Sequence, residues 1–167
     1  MVAALTGAVS SWSASAVVPN ATLSIDPVTQ NVNAGSQFTV AVKQNAVVES
    51  GGSQMDIVID QTKLQIATCP AFPAACPAVA RGAALTGASL LAGVAPQHLA
   101  DAINEANTTG RLRNLAGYFN PGAGTVAAGD ATLFVITMNA KAYASGSSGI
   151  ALENFGVLSL DGLAVAN

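Results

Sequence analysis

Apolar and polar residues alternate along much of this chain, in short runs separated by Gly, Pro and Asn. In ATLSID, Leu23 and Ile25 share one side, and Pro27 ends the run. After the turn NAGSQ, the run FTVAVKQ puts Phe38, Val40 and Val42 on one face and Thr39, Ala41 and Lys43 on the other. QMDIVID puts Met55, Ile57 and Ile59 inward and Gln54, Asp56, Val58 and Asp60 outward. A strand-ending turn around Asp60 leads to a second run from Leu64. TLFVITMNAKA keeps the same period, with Phe134, Ile136, Met138 and Ala140 on one face, and GIALENFGVLSLDG supplies two more short strands. A period of two is that of a pleated strand with one buried face. Many such strands with turn punctuation predict an all-β sandwich. Ile57 is expected in the core. Asp56 is expected to face water and to be the cheaper of the two to replace.

One segment departs from the alternation. APQHLADAINEANTTG carries Leu99, Ile103 and Ala106 at helical spacing, and Asn107 with Gly110 suits a helix end. A single short helix is expected here. Asp101 and Glu105 form its only helix-spaced acidic pair, expected to face water. No repeat of 20 to 50 residues is visible, and no linker divides residues 17–167, so one domain is expected.

Composition narrows the function classes. Of the 167 residues, 51% are hydrophobic and only 9% charged, against roughly 25% in an ordinary soluble domain. Six Lys and Arg residues are scattered, so nucleic-acid binding lacks a basic patch. The sparse charge, with much Ala, Gly, Ser, Thr and Asn, suits an extracellular protein or one packed into an assembly.

Cys69 and Cys76 stand in TCPAFPAACP. With no second Cys pair and a single His, His98, a zinc site of Cys and His cannot be assembled. The expected reading is a local disulfide closing a Pro-rich loop, which places the chain outside the cytosol; two buried free thiols are the alternative. The N-terminus agrees with export. Residues 1–16 run from small apolar residues to Ala14-Ser15-Ala16, like the later part of a signal peptide but without its basic start. The rival for this segment is a strand that joins this domain or a neighbouring copy. Its apolar run, residues 2–9, is too short to span a membrane as a helix. Asn20-Ala21-Thr22 and Asn107-Thr108-Thr109 have the sequon pattern, which matters only where the source has glycosylation machinery; ordinary turn polarity is the expected reading.

Catalysis finds little support. There is no G-x-S-x-G, and a Ser–His–Asp set would have to use His98 in the helical segment. NPGAGTVAAGD lacks the G-K-[ST] ending of a phosphate loop and precedes a strand. No EF-hand pattern exists, which leaves calcium only as a structural ion held by distant loops; otherwise no cofactor is expected. For polysaccharide binding, Trp12 falls in the signal-like segment and Tyr118 with Phe119 is the only aromatic pair.

The order LSIDPVTQNVNAGSQFTVAV, GGSQMDIVIDQTKLQI, GDATLFVITMNAKAYASGSSGIALEN and a late LDG resembles cohesin modules over residues 21–165. IDQTKLQI stands where cohesins have yDptkLev. The resemblance implies a flattened jelly-roll sandwich of about nine strands, here with one short helical insertion. It also implies a non-catalytic task, the gripping of a dockerin partner. Outward polar residues of the third strand help form the dockerin surface in cohesins, and the matching positions are Gln54 and Asp56. The wider superfamily also contains carbohydrate-binding modules. Self-association into a surface fibre or coat, using the N-terminal segment, is a third reading.

Overall fold

A computed structural model describes residues 21–70, 75–93, 98–158 and 164–166. The signal-like segment 1–16, Trp12 and the sequon residue Asn20 lie outside the described residues. In chain order the strands are β1 (Thr22–Asp26), β2 (Gln37–Ala46), β3 (Gly52–Ile59), β4 (Leu64–Ile66), β5 (Val79–Arg81) and β6 (Ser89–Leu91). The helix α1 (Leu99–Thr109) follows, and then β7 (Arg111–Tyr118), β8 (Gly129–Ala140), β9 (Ile150–Leu158) and β10 (Ala164–Ala166). They form two antiparallel sheets. One runs β1-β2-β8-β4 with β5 also on β8, and the other runs β10-β9-β3-β7-β6.

The alternation read from the sequence is the alternation of burial. Val40, Val42, Phe134, Ile136 and Met138 of the first sheet face Met55, Ile57, Ile59, Leu112 and Leu115 of the second across one apolar core. Leu133 joins them out of phase. Between Val42 and Lys43 of β2 the register with β8 shifts by one residue, and this bulge lets both Leu133 and Phe134 reach the core. The core also holds a polar group. Gln44, fully buried, donates from Nε2 to Ser50 Oγ at 3.0 Å and accepts from Ser53 Oγ at 2.6 Å. Each partner is satisfied, which is what makes burial of such groups tolerable.

Ten strands are present among the described residues where about nine were expected, because one strand is interrupted. Leu64 and Ile66 pair with Ala140 and Met138, and Val79 and Arg81 pair with Ile136 and Phe134. Between them, Ala67 donates its N–H to the Thr137 carbonyl at 2.9 Å, and the Thr137 N–H donates to the Ala78 carbonyl at 2.8 Å. In a continuous antiparallel strand one residue would supply both groups. Here Ala67 and Ala78 share the task, so β4 and β5 are two halves of one strand. Cys69 and Cys76 are disulfide-bonded across the base of the segment that leaves and returns, as expected from the sequence.

The helix lies where the period of 3.6 placed it. Ala102, Ile103 and Ala106 are buried, and α1 packs against β4 and β7. Gly110 stops it with a left-handed φ of 81°, and its N–H bonds the Ala106 carbonyl at 2.8 Å. Asp101 is exposed, and Glu105 approaches Arg113 at 3.9 Å.

Candidate functional site

The outer face of the β10-β9-β3-β7-β6 sheet holds the two residues singled out in β3. Register defines its rows. Gln54 lies between Gly156 of β9 and Ala116 of β7, and Ala116 lies beside Leu91 of β6. Leu91 is 55% exposed, a large apolar side chain left open to solvent at the sheet edge. One step along, Asp56 pairs with Glu153 of β9, and Val58 lies between Ala151 and Arg111.

Asp56 departs from expectation. It lies on the outer side of the sheet, as the alternation requires, but it is 6% exposed and buried beneath its neighbours. The cause is a bulge on each side of β3. From Met55 to Ile57 the partner strand β7 advances three residues, Leu115 to Leu112, and from Gln54 to Asp56 the partner strand β9 advances three, Gly156 to Glu153. Each bulge contains an Asn with positive φ, Asn114 at 51° and Asn154 at 47°. Asn is among the few residues that adopt this conformation readily. The bulges turn donors toward Asp56. Its Oδ1 accepts the Asn114 backbone N–H at 2.8 Å, and its Oδ2 accepts Asn154 Nδ2 at 2.8 Å and Arg111 Nη1 at 2.9 Å. The sequence-based view of Asp56 as a solvated and cheaply replaced carboxylate is therefore corrected: three donors from two neighbouring strands converge on it.

Arg111 links this buried carboxylate to the surface. Its Nη2 pairs with Glu153, which is largely exposed. The hydrogen bond to Asp56 is the main cause that holds the Arg111 guanidinium above its ordinary pKa; partial burial opposes it, and the Glu153 charge adds to it. Gln54, on the outer side as the alternation requires, is partly exposed. Its Nε2 donates to Asn114 Oδ1 at 3.3 Å, and Asn114 Nδ2 donates to the Gly93 carbonyl at 3.3 Å, which ties the β3–β7 bulge to the segment after β6. Gly52, at the start of β3, has φ 145°, and a Cβ there would stand 2.1 Å from the Gly117 carbonyl oxygen. Only glycine lets β3 and β7 meet this closely.

The other candidate chemistry is dispersed. His98 sits at the N-cap of α1. Tyr118 lies on the outer face opposite Gly52, while Phe119 packs on the core and Tyr143 is fully exposed in the β8–β9 connection. The three aromatics therefore lie in three different settings, on the outer face, against the core and on an exposed turn. Among the described residues no three His, Cys, Asp or Glu side chains gather as metal ligands. Asp60 accepts the Thr62 N–H at 3.0 Å in the expected strand-ending turn, and Asp130 accepts Asn45 Nδ2. Neither is part of a cation cage. No helix among the described residues is long and apolar enough to cross a membrane.

No family model matches the chain, and no curated protein does. Solved structures do. The sixth cohesin from scaffoldin B of Acetivibrio cellulolyticus, crystallised in complex with a mutant Cel5 dockerin, is 18% identical with a TM-score of 0.61, covering 89% of this chain and 94% of that one. A type II cohesin domain from the cellulosome of the same organism is 14% identical with a TM-score of 0.60, covering 89% and 90%. The non-cellulosomal cohesin of the archaeon Archaeoglobus fulgidus is 15% identical with a TM-score of 0.53, covering 80% and 75%. At these identities the likeness is one of fold, and the fold is that of a cohesin module.

Proposed function

We propose that this chain is a non-catalytic, extracellular protein-binding module that docks a dockerin-like partner on the outer face of the β9-β3-β7-β6 sheet. The observation that carries the reading is this face itself: on a cohesin fold, an open apolar side chain, Leu91, shares a row with partly exposed Gln54 across Ala116, and an ion pair, Arg111–Glu153, is held in place from below by Asp56. An exposed apolar side chain at the sheet edge, with oriented polar groups on the strands further in, suits a protein partner better than a sugar ring, which stacks on exposed aromatic planes. Gln54 acts as a contact in this proposal. Asp56 acts through the residues it holds, Arg111, Asn114 and Asn154, and is a positioning residue. The Cys69–Cys76 disulfide and the apolar segment ending in Ala14-Ser15-Ala16 support export to an oxidising compartment.

The test is titration of the protein lacking residues 1–16 with a panel of purified dockerin modules and, in parallel, with insoluble polysaccharides. Saturable dockerin binding is expected, weakened at least about tenfold by Leu91→Asp or Gln54→Arg with the unfolding midpoint unchanged. Binding to polysaccharide alone, indifferent to both substitutions, sinks the proposal in favour of a carbohydrate-binding module. Association that needs residues 1–16 and no dockerin would point instead to strand exchange between copies.

A further inference from the structure

The sequon Asn107-Thr108-Thr109 forms the last turn of α1, and its Asn side chain is already in use. The Ile66 N–H donates to Asn107 Oδ1 at 2.7 Å, and Asn107 Nδ2 donates to the Ile66 carbonyl at 2.8 Å. Ile66 lies in β4, whose neighbouring residue Ala67 turns its N–H toward β8. Ile66 therefore turns its own N–H and C=O to the free edge of the sheet. The Asn107 carboxamide pairs with both groups, as a further strand would, and closes this point of the edge. The two threonines are engaged as well: Thr108 Oγ1 donates to the Asn104 carbonyl at 3.1 Å and Thr109 Oγ1 to the Glu105 carbonyl at 3.0 Å.

From this geometry we infer that N-glycosylation of Asn107 and docking of α1 on β4 exclude one another, so that this sequon is a modification site open only in the unfolded chain. The reason is the stereochemistry of the amide. A primary carboxamide that accepts and donates side by side to one backbone residue uses the N–H on the same side as its own oxygen. Attachment of a sugar makes the group a secondary amide, which keeps the trans form. In that form the sugar carbon lies on the same side as the oxygen and takes the place of the hydrogen that bonds Ile66. The hydrogen that remains points away from β4. Glycosylation thus removes the bond to the Ile66 carbonyl and drives a sugar ring into the sheet edge. Rotation of the side chain to avoid this leaves both edge groups of Ile66 without their partner. The inference stands on the Asn107–Ile66 pair alone and is independent of what the sheet face binds.

Semisynthesis gives the decisive comparison. The full chain is prepared with a single N-acetylglucosamine on Asn107, with the same sugar on Asn104, an exposed residue of the same helix, and unmodified. Each form is refolded and melted. The Asn107 glycoform should melt about 5–15 °C below the unmodified chain, or fail to refold, while the Asn104 glycoform stays within about 2 °C of it. Equal midpoints for the Asn107 glycoform and the unmodified chain overturn the inference. Equal losses at both positions also overturn it, because the damage would then come from a sugar on α1 in general.

Discussion

The carboxylate of Asp56 accepts the backbone N–H of Asn114 at 2.8 Å, across a bulge in which Asn114 takes the left-handed conformation. The same carboxylate accepts the side chain of Asn154 from the opposite bulge. A single acidic group thereby fixes the two irregularities that give this sheet face its shape, and the strength of that arrangement is measurable.

Asp56→Ala should lower the unfolding free energy by about 1–3 kcal/mol, because it removes a buried carboxylate that accepts three hydrogen bonds, while the partly exposed Arg111 and Asn114 and the exposed Asn154 can turn to water. Ile57→Ala, which opens a cavity in the core, should cost about 2–5 kcal/mol. Urea denaturation of both variants makes the comparison. A loss below about 1 kcal/mol for Asp56→Ala would mean that the three bonds are weak or remade by water.

At Asn114 the conformation itself can be tested. Asn114→Gly keeps the positive φ at little steric cost, whereas Asn114→Val combines a β-branched side chain with that φ. The Val variant should be less stable than the Gly variant by about 1–3 kcal/mol. Equal stabilities in thermal melts would show that the β7 bulge shifts to relieve the strain.

The turn after β3 contributes to acid stability in a defined direction. The Thr62 hydroxyl, followed by the Thr62 backbone N–H, lowers the Asp60 pKa below its ordinary 3.8. A carboxylate whose pKa is lower folded than unfolded adds stability above its unfolded pKa and loses it as pH falls through the folded one. Thr62→Val removes the hydroxyl. The midpoint difference between wild type and this variant should be present at pH 5–7 and shrink as the pH falls below about 3.8. A difference that is constant across that range would assign the effect to packing.

The Cys69–Cys76 bond is a covalent clamp between the chain segments that continue β4 and β5. The ring is short, so the paired change Cys69→Ser with Cys76→Ser should cost only about 2–3 kcal/mol. Intact mass before and after reduction and alkylation checks the bond itself. Two thiols that alkylate without reductant in natively exported protein would contradict it.

Much of this was legible in the chain. The two-residue period placed Val40, Ile57, Phe134 and Met138 in the core, and the shift to helical spacing located α1 and its Gly110 stop, because both patterns follow directly from which side chains share a face. The environment of Asp56 was not legible. Alternation gives the side of a sheet on which a residue lies; it says nothing of what the adjacent strands fold over it. The hint was present in Asn114 and Asn154, short polar residues of the kind that take the left-handed conformation, set inside strands β7 and β9. Their meaning depends on strand pairings between residues far apart in sequence. Gln44 was similarly missed, although it falls in phase with Val40 and Val42. A polar residue at an inward position signals a buried hydrogen-bonded group, and its partners, Ser50 and Ser53, lie just beyond the next turn. The interruption between β4 and β5 is invisible to any local pattern, since each half reads as a short run of its own.

That interruption has a consequence for how the chain tolerates change. Ala67 and Ala78 meet the same residue of β8, Thr137, and the disulfide joins the two chain segments just outside that meeting point. The strand is therefore complete whatever lies between Cys69 and Cys76. Residues added there extend a connection whose ends are already held together, so the register of β8 should be kept and the entropic penalty should grow only slowly with length. The chain between Cys69 and Cys76 leaves and rejoins the sheet opposite the one that carries Gln54, so a peptide inserted there should leave the Gln54 face unchanged.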